Sequence, residues 1–158
     1  MRPALVIGPA GPADLPGLLA LQRRAYASEA ALYPEATLPP LTETLAELAA
    51  EAGRQTLLTG RLDGQLVATV RGHVDAAGLG QIGRLAVDPD AQGQGHGTAL
   101  LGAIEAALPV STLELFTGAR SSANLRLYER LGYRRHRTEV RGGVTMVFLR
   151  KPKGPVTP

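Results

Sequence analysis

The segment Val87–Thr98, which reads VDPDAQGQGHGT, constrains the fold more than any other part of the chain. It follows an apolar run from Ile82 to Val87 and precedes a periodic run from Ala99 to Leu108, an order that predicts strand, glycine-rich turn and helix. The first N–H groups of such a helix have no intrahelical partner and lie at the positive end of its dipole. Since glycines leave the backbone accessible, the segment predicts a phosphate-binding loop.

Two common phosphate loops do not fit the spacing. A P-loop needs Gly-x4-Gly-Lys-Ser/Thr, but the first lysine of the chain is Lys151. A dinucleotide-binding loop needs a third glycine where Thr98 stands, and a carboxylate about 20 residues further on, where Thr117 stands. A third pattern, Gln/Arg-x-x-Gly-x-Gly/Ala, is matched by Gln92, Gly95 and Gly97.

Composition excludes several other functions. The 158 residues fit one domain with a proper core, and 44% of them are hydrophobic. There is no cysteine, which excludes disulfides, thiolate zinc sites and a cysteine nucleophile, and the three isolated histidines have no metal-ligand spacing. No apolar run approaches the ~18 residues of a membrane span and no signal peptide is visible, so we expect a cytoplasmic protein without a metal or a membrane partner.

Charge is distributed unevenly. Residues 1–119 contain 7 basic and 12 acidic residues, whereas residues 120–158 contain 10 basic and 2 acidic ones. A basic end is compatible with nucleic-acid binding, which would give a steeply salt-dependent affinity. The arginines, however, stand singly among apolar residues and match no nucleic-acid motif, so we expect a solvated cationic face and no nucleic-acid partner.

Apolar periodicity and turn residues divide the chain into eleven elements. The predicted strands are 5–8, 56–62, 65–74, 81–87, 112–116, 133–140 and 144–151. The predicted helices are 14–27 with Asp14 as N-cap, 42–52, 99–108, and one that starts after Ser121 or Ser122 and ends at Gly132. Asp63-Gly64 predicts a type I′ hairpin, and residues 28–40 predict a loop.

These elements predict an α/β fold: a mixed, mainly antiparallel twisted sheet of about seven strands, flanked by about four helices. The helix after the glycine-rich loop should be a crossover between two parallel strands. We expect a single domain over residues 1–151 and a flexible C-terminal tail over 152–158.

Two motifs in this order resemble the GNAT (general-control-type N-acetyltransferase) superfamily, and the order of elements resembles it across residues 4–151. The first motif is Leu85–Leu101; the second is Asn124–Tyr133, similar to the family segment Asn-x-x-Ala-x-x-Leu-Tyr-x-x-x-Gly-Phe/Tyr. The resemblance implies an N-acetyltransferase that transfers an acetyl group from acetyl-CoA to a primary amine of a small molecule or peptide by direct attack, with no metal.

The resemblance also implies the site residues. The cofactor-binding positions are Leu85, Ala86, Val87, Gln92, Gly93, Gln94, Gly95, His96, Gly97, Thr98, Asn124 and Tyr128. The strand backbone should pair with the pantetheine arm, and the Val87 N–H should donate to the thioester oxygen as a catalytic group. Tyr128 is the expected proton donor to the leaving thiolate. Arginine is common in the family at Gln92 and Gln94. Arg120 or Arg126 could compensate by reaching a phosphate, but for each we favour the alternative of a solvated arginine on a helix.

The general base remains open. Lysine-acetylating members of the superfamily carry a glutamate where this chain has Gln81, whose amide does not accept a proton at neutral pH. His73, Asp75, Glu29 and a water chain are the alternatives. Loops 27–40 and 141–144 should shape the acceptor pocket. The absent glutamate leaves a second hypothesis, a non-catalytic acyl-CoA-binding or regulatory module, and a monomer and a homodimer are both compatible with the sequence.

Overall fold

A computed structural model describes residues 3–153, which contain one seven-stranded sheet and five helices. The strands are β1 (Val6–Pro9), β2 (Thr56–Leu62), β3 (Gln65–Val74), β4 (Gly80–Val87), β5 (Thr112–Gly118), β6 (Arg134–Arg141) and β7 (Val144–Pro152). The helices are α1 (Leu15–Ala30), α2 (Pro39–Thr42), α3 (Leu45–Ala52), α4 (His96–Ala107) and α5 (Ser122–Arg130). The predicted fold class is confirmed; the additional helix is the single turn α2.

The strand order is β1-β2-β3-β4-β5-β7-β6, and β4 and β5 form the parallel pair. Helix α4 connects these two strands, so the predicted crossover is confirmed. β4 and β5 pair only through Gly80 with Leu113 and Gln81 with Glu114. Beyond these two positions the strands part, and their carboxyl halves border an opening in the sheet.

Two apolar clusters cover the two faces of the sheet. Leu57 and Leu58 are adjacent in β2, so their side chains point to opposite faces. Leu57 packs in a cluster with residues of α1 and α3, whereas Leu58 packs in the larger cluster with α4 and α5. Helices α1 and α3 therefore pack on one face of the sheet, and α4 and α5 pack on the other face. Within residues 3–153 there is no helix of sufficient length and hydropathy to span a bilayer.

A predicted hairpin turn and a predicted helix end are present in the structure. Asp63 and Gly64 have φ values of 48° and 79°, as a type I′ hairpin requires. Gly132 ends the α5 segment with φ 99°, and the Tyr133 N–H donates to the Tyr128 carbonyl at 3.0 Å. This is the left-handed C-terminal motif expected from the sequence.

Other boundaries differ from the prediction because of local side-chain bonds. Helix α3 begins at residue 45, not 42, since the Thr44 hydroxyl accepts from the Glu47 N–H and the Glu47 carboxylate accepts from the Thr44 N–H. Asp14 is the N-cap residue of α1, as predicted, but its carboxylate accepts from the Gly11 N–H at 2.7 Å, in the preceding 3-10 turn, and not from an N–H of α1. α1 extends to residue 30, and α4 begins at residue 96 rather than 99.

The C-terminal end of the domain lies slightly beyond residue 151. Strand β7 continues to Pro152, and the Lys153 N–H donates to the Ser111 carbonyl at 2.8 Å. The first two positions of the predicted tail therefore belong to the sheet region. Residues 154–158 lie outside the described residues, so the tail itself stays a prediction.

Candidate active site

A cavity of about 690 Å³ lies where β4 and β5 part. Its walls come from α1, the segment after it, α3, strands β3, β4 and β5, helix α5 and the turn between β6 and β7. Both segments expected to shape an acceptor pocket reach it: Tyr33 and Leu38 from the first, Arg141 and Val144 from the second.

The glycine-rich loop has the backbone that phosphate binding requires. Gly93 and Gly95 have φ values of 77° and 84°, and a Cβ added to either would meet no atom within 4 Å. Gly95 is the N-cap of α4 in the left-handed conformation. Within residues 3–153, the N–H groups of Gly95, His96, Gly97 and Thr98 donate to no protein acceptor. These free donors and the open space beside the glycines fit a diphosphate.

The side chains of this loop have other contacts. The Gln92 amide donates to the Val87 carbonyl at 3.3 Å, which ties the loop back to the end of β4. His96 lines a separate surface groove with Pro3 and Leu5 and is not part of the wall of the cavity between β4 and β5. Backbone groups, rather than these side chains, are therefore what the loop offers to a ligand.

Strand β4 presents an open backbone edge to the cleft. The Leu85 carbonyl accepts from the Tyr26 hydroxyl at 3.1 Å, and the Val87 carbonyl accepts from Gln92, whereas Ala86 is paired with Thr69 of β3. Because backbone groups of successive residues point to alternate sides of a strand, the N–H groups of Leu85 and Val87 face the open edge and that of Ala86 faces β3. Tyr26, which no sequence pattern indicated, fixes this edge to α1.

Tyr128 packs against a neighbouring tyrosine and also lines the cavity. Its ring packs edge-on against Tyr133, with centroids 6.1 Å apart, and its side chain lines the cavity. Within residues 3–153 its hydroxyl has no hydrogen-bond partner. Burial raises the pKa of Tyr128 well above its usual value, and the charge of Glu29 adds to the rise. The hydroxyl therefore stays protonated and is free to donate into the cleft.

A directed hydrogen-bond chain runs along the wall beside Tyr128. The Arg120 N–H donates to the Tyr33 hydroxyl at 3.0 Å, which lies 2.9 Å from the Ser121 hydroxyl, which donates to Glu29 Oε2 at 2.5 Å. Because a carboxylate ends the chain, each hydroxyl passes its hydrogen toward Glu29. The chain holds the Glu29 side chain, from α1, at the cavity wall as the last acceptor.

Asn124 is bonded within the protein. Its amide donates to the Thr117 hydroxyl at 3.3 Å and lies 3.5 Å from Glu29 Oε1. Its predicted contact with a cofactor stays a prediction. In the family segment the asparagine precedes the tyrosine by seven residues, and that position here is Ser121. Counting from Tyr128 would have indicated Ser121, which is 2% exposed.

The three side chains considered as a general base, His73, Asp75 and Glu29, differ in their hydrogen bonds and in their position relative to the cavity. Gln81 donates to Asp75 Oδ2 at 3.0 Å and to Glu114 Oε1 at 2.9 Å. The Gln81 amide and the backbone N–H groups of the turn lower the pKa of Asp75, which is not part of the cavity wall. His73 and Glu29 both line the cavity, and within residues 3–153 the buried Nδ1 of His73 has no hydrogen-bond partner.

A buried ion cluster on the same wall was not indicated by the sequence. Arg71 Nη2 lies 2.7 Å from Glu43 Oε1, and Arg84 Nη1 lies 3.5 Å from the same oxygen. Burial opposes ionisation of Glu43, but hydrogen bonds from Arg71 and Gln22 and the two positive charges outweigh it and lower the pKa of this carboxyl. Arg120, one of the two arginines considered as phosphate ligands, donates to the Leu32 carbonyl at 3.0 Å.

Comparison with solved structures shows the same fold in several bacterial and archaeal proteins. A ribosomal-protein-S18-alanine N-acetyltransferase from Escherichia coli has 24% identity, with 98% of this chain and 99% of that chain covered and a TM-score of 0.77. PaiA N-acetyltransferase from Thermoplasma acidophilum in complex with coenzyme A has 15% identity, coverage of 94% and 99%, and a TM-score of 0.80. A putative acetyltransferase from Salmonella typhimurium with its cofactor acetyl-CoA has 17% identity, coverage of 98% and 97%, and a TM-score of 0.75.

Sequence comparison identifies the family. No curated protein matches the chain by sequence. The model of the acetyltransferase (GNAT) family matches residues 19–133, which include the glycine-rich loop, β5 and Tyr128. The predicted class of acetyl-CoA-dependent N-acetyltransferase is thereby confirmed at the level of the family: the chain belongs to the acetyltransferase (GNAT) family.

Proposed function

We propose that the protein transfers an acetyl group from acetyl-CoA to the primary amine of a small molecule or peptide, in a ternary complex and by direct attack. The observation that carries this proposal is the buried, protonated and unpartnered hydroxyl of Tyr128 at the cleft between β4 and β5. A protonated hydroxyl without a partner can donate a hydrogen bond to the departing thiolate, which is the stabilisation that this leaving group needs. The absence of cysteine from the chain agrees with direct attack by the amine.

In this proposal the loop and β4 hold the donor. The N–H groups of Gly95 through Thr98 bind its diphosphate, and the open-edge N–H of Leu85 pairs with a pantetheine amide. Gln92 acts through its bond to Val87, which positions the loop. Hydrogen bonds and the dipole of α4, each worth about 0.3 to 2 kcal/mol, supply the affinity at the loop.

The chemistry forms a C–N bond and breaks the C–S bond of the thioester. The Val87 N–H donates to the carbonyl oxygen, where negative charge grows in the transition state; one such donor is worth about 3 kcal/mol. Tyr128 donates its proton, or a hydrogen bond, to the sulfur. The attacking nitrogen loses its proton to the open side of the cavity, where Glu29 and His73 are candidate acceptors.

Release of the CoA thiol over a panel of primary amines tests the proposal, with Tyr128→Phe as the diagnostic variant. We expect wild-type turnover on at least one amine and a fall in kcat of at least tenfold in Tyr128→Phe, since a positioned acid typically contributes 10²–10⁴-fold. KM should change little, because the ring and its packing on Tyr133 remain. Equal kcat values for the two proteins would show that Tyr128 is not the donor.

Gln81 favours a second candidate, a non-catalytic acyl-CoA-binding or regulatory module. Its amide is occupied by Asp75 and Glu114, and it stands where lysine-acetylating relatives carry a glutamate. This candidate predicts that CoA binds but that no amine in the panel releases thiol. The same assay therefore separates the two candidates.

A further inference from the structure

Arg84, in the wall of the cavity, has an unusual backbone conformation. The pairing of β3 with β4 shifts between Thr69 and Arg71, and within this bulge Arg84 has φ 53°. A residue with a Cβ is unfavourable in the left-handed region, so such positions need a compensating interaction and are concentrated at functional sites. Arg84 directly precedes the open backbone edge of β4 and lines the cavity beside Gly83, where a Cβ would meet no atom within 4 Å.

The cluster around Arg84 has one more positive charge than negative charge. Arg71 and Arg84 share one oxygen of Glu43, at 2.7 Å and 3.5 Å, so Arg71 is the closer partner and Arg84 is only loosely paired. The Arg71 side chain is 6% exposed, and within residues 3–153 its Nη1 has no hydrogen-bond partner. Burial, and then the charge of Arg71, lower the pKa of Arg84, as expected for a guanidinium that lacks a full counter-charge.

The other charged groups on this part of the wall have partners of their own. Glu51 pairs with Arg54 at the rim, and its second oxygen accepts from Gln55. The carboxylate of Glu47 accepts from the Thr44 N–H at the start of α3. Neither carboxylate hydrogen-bonds Arg84, which leaves the surplus charge facing the cavity.

A negative group faces the same space near Tyr128. Glu29 and Arg84 both act on the hydroxyl of Tyr26, Glu29 raising and Arg84 lowering its pKa, while burial is the largest effect and brings the pKa to about 12. Glu29 and Arg84 both line the cavity, so two opposite charges lie near Tyr26, whose hydroxyl donates to the Leu85 carbonyl. A ligand with an ammonium and a carboxylate group matches this arrangement of charges.

We infer that the acceptor of the acetyl group carries a carboxylate in addition to its amine, and that Arg84, supported by Arg71, binds this carboxylate. The planar guanidinium suits a carboxylate geometrically, and one negative charge would neutralise the cluster. This inference rests on the proposed function and names the substrate class of the same site. It makes Arg84 a specificity-determining residue.

Matched pairs of amines test the inference: glycine, β-alanine and γ-aminobutyrate, each against its carboxamide. The two compounds of a pair both have the primary amine, but the carboxamide lacks the negative charge of the carboxylate. We expect kcat/KM of the wild type to be at least tenfold higher for the carboxylate in at least one pair, the factor that a charge-assisted hydrogen bond supplies. In Arg84→Gln this ratio should fall toward one.

Arg54→Gln is the matched control, because it removes the same charge from an arginine at the cavity rim that pairs with Glu51 and is 67% exposed. Its carboxylate-to-carboxamide ratio should equal that of the wild type. Turnover with no preference for the carboxylate, or a preference that survives in Arg84→Gln, would overturn the inference and leave the proposed function standing. Failure of every amine, charged or not, would contradict the proposed function itself.

Calorimetry on the CoA-saturated protein gives a readout that needs no turnover. The carboxylate of the preferred pair should bind at least tenfold more tightly than its carboxamide, and Arg84→Gln should remove this difference. Equal affinities of the wild type for the two compounds would overturn the inference even if acetylation were observed.

Discussion

Glu43 is the residue that makes the arginine-lined wall of the cavity possible. Its carboxylate accepts from Arg71 and Gln22 and lies near Arg84, and the residue is 8% exposed. Removal of one member of a buried ion cluster leaves the remaining charges without compensation, which is more costly than the loss of an exposed ion pair. The stability of this wall should therefore depend on Glu43 strongly.

Glu43→Gln should lower the free energy of unfolding by about 3–5 kcal/mol at neutral pH, measured by urea denaturation. Glu129→Gln, which breaks the exposed pair with Arg135, is the control and should cost less than about 1 kcal/mol. A loss in Glu43→Gln no larger than that of the control would show that the cluster does not stabilise the fold.

The same residue should make stability pH-dependent. Because folding lowers the pKa of Glu43, its stabilisation is present above the unfolded-state value of about 4.3 and is lost as the pH falls through the lower folded-state value. The difference in unfolding free energy between the wild type and Glu43→Gln should therefore be full at pH 6–7 and shrink below about pH 4. A difference that stays constant down to pH 3 would contradict this.

Individual residues of the site could be predicted only where a sequence motif or a residue spacing indicated them. Tyr128 was indicated by its family segment, and in the structure it lines the cavity; its role as donor stays a prediction. Glu29, Tyr33 and Ser121 form one chain of hydrogen bonds across 88 to 92 residues of sequence, which no local pattern reveals. The ion cluster of Arg71, Arg84 and Glu43 was missed for the same reason.

At the scale of elements, the end of β5 depends on the segment that follows α1. Tyr33 comes from this segment, is 6% exposed and lies directly over Gly118, the last residue of β5. A Cβ on Gly118 would lie 1.9 Å from the Tyr33 hydroxyl oxygen and 2.4 Å from Cζ. Contact between these elements therefore requires glycine at the end of the strand.

Gly118→Ala should destabilise the protein by about 1–3 kcal/mol in thermal or urea unfolding, because Tyr33 must move and its bonds to Ser121 and Arg120 must break. Gly102→Ala should have the opposite effect. Gly102 is exposed in α4, and a Cβ there would meet no atom within 4 Å, so the alanine should raise the free energy of unfolding by about 0.5–1 kcal/mol. If both variants unfold like the wild type, Tyr33 does not occupy the space over Gly118.

Elements were predicted well where apolar periodicity defined them and less well at their ends. Six of the seven strands agree with the predicted ranges to within one residue at both ends, and β5 extends two residues beyond its predicted end. Helix ends depended on side-chain caps such as Thr44 with Glu47, and on the Gly95 conformation that starts α4 at residue 96. The turn α2 was missed because three prolines in residues 28–40 favoured a loop.

At the scale of the whole molecule, one topological feature organises the site. The crossover through α4 makes β4 and β5 parallel, and the early end of their pairing opens the sheet between them. The glycine-rich loop lies at the end of β4, and α1, α5 and the β6–β7 turn close the cavity around the opening. Sequence order alone predicted the crossover; the opening follows from tertiary packing, which the sequence did not indicate.

The central claim is that free N–H groups of the glycine-rich loop bind the diphosphate of CoA. Calorimetric titration of CoA into Gly95→Ala, with Gly64→Ala as the matched control, tests it most directly. Both glycines have φ near 80° and open space around the missing Cβ, so both variants should lose a similar 1–2 kcal/mol of stability. Gly64, however, lies in the turn between β2 and β3 and is not part of the loop.

The account predicts that the wild type and Gly64→Ala bind CoA with the same Kd, and that Gly95→Ala binds at least tenfold more weakly, because its Cβ fills the space beside the N–H groups. Wild-type affinity in Gly95→Ala, or an equal loss in both variants, would contradict it.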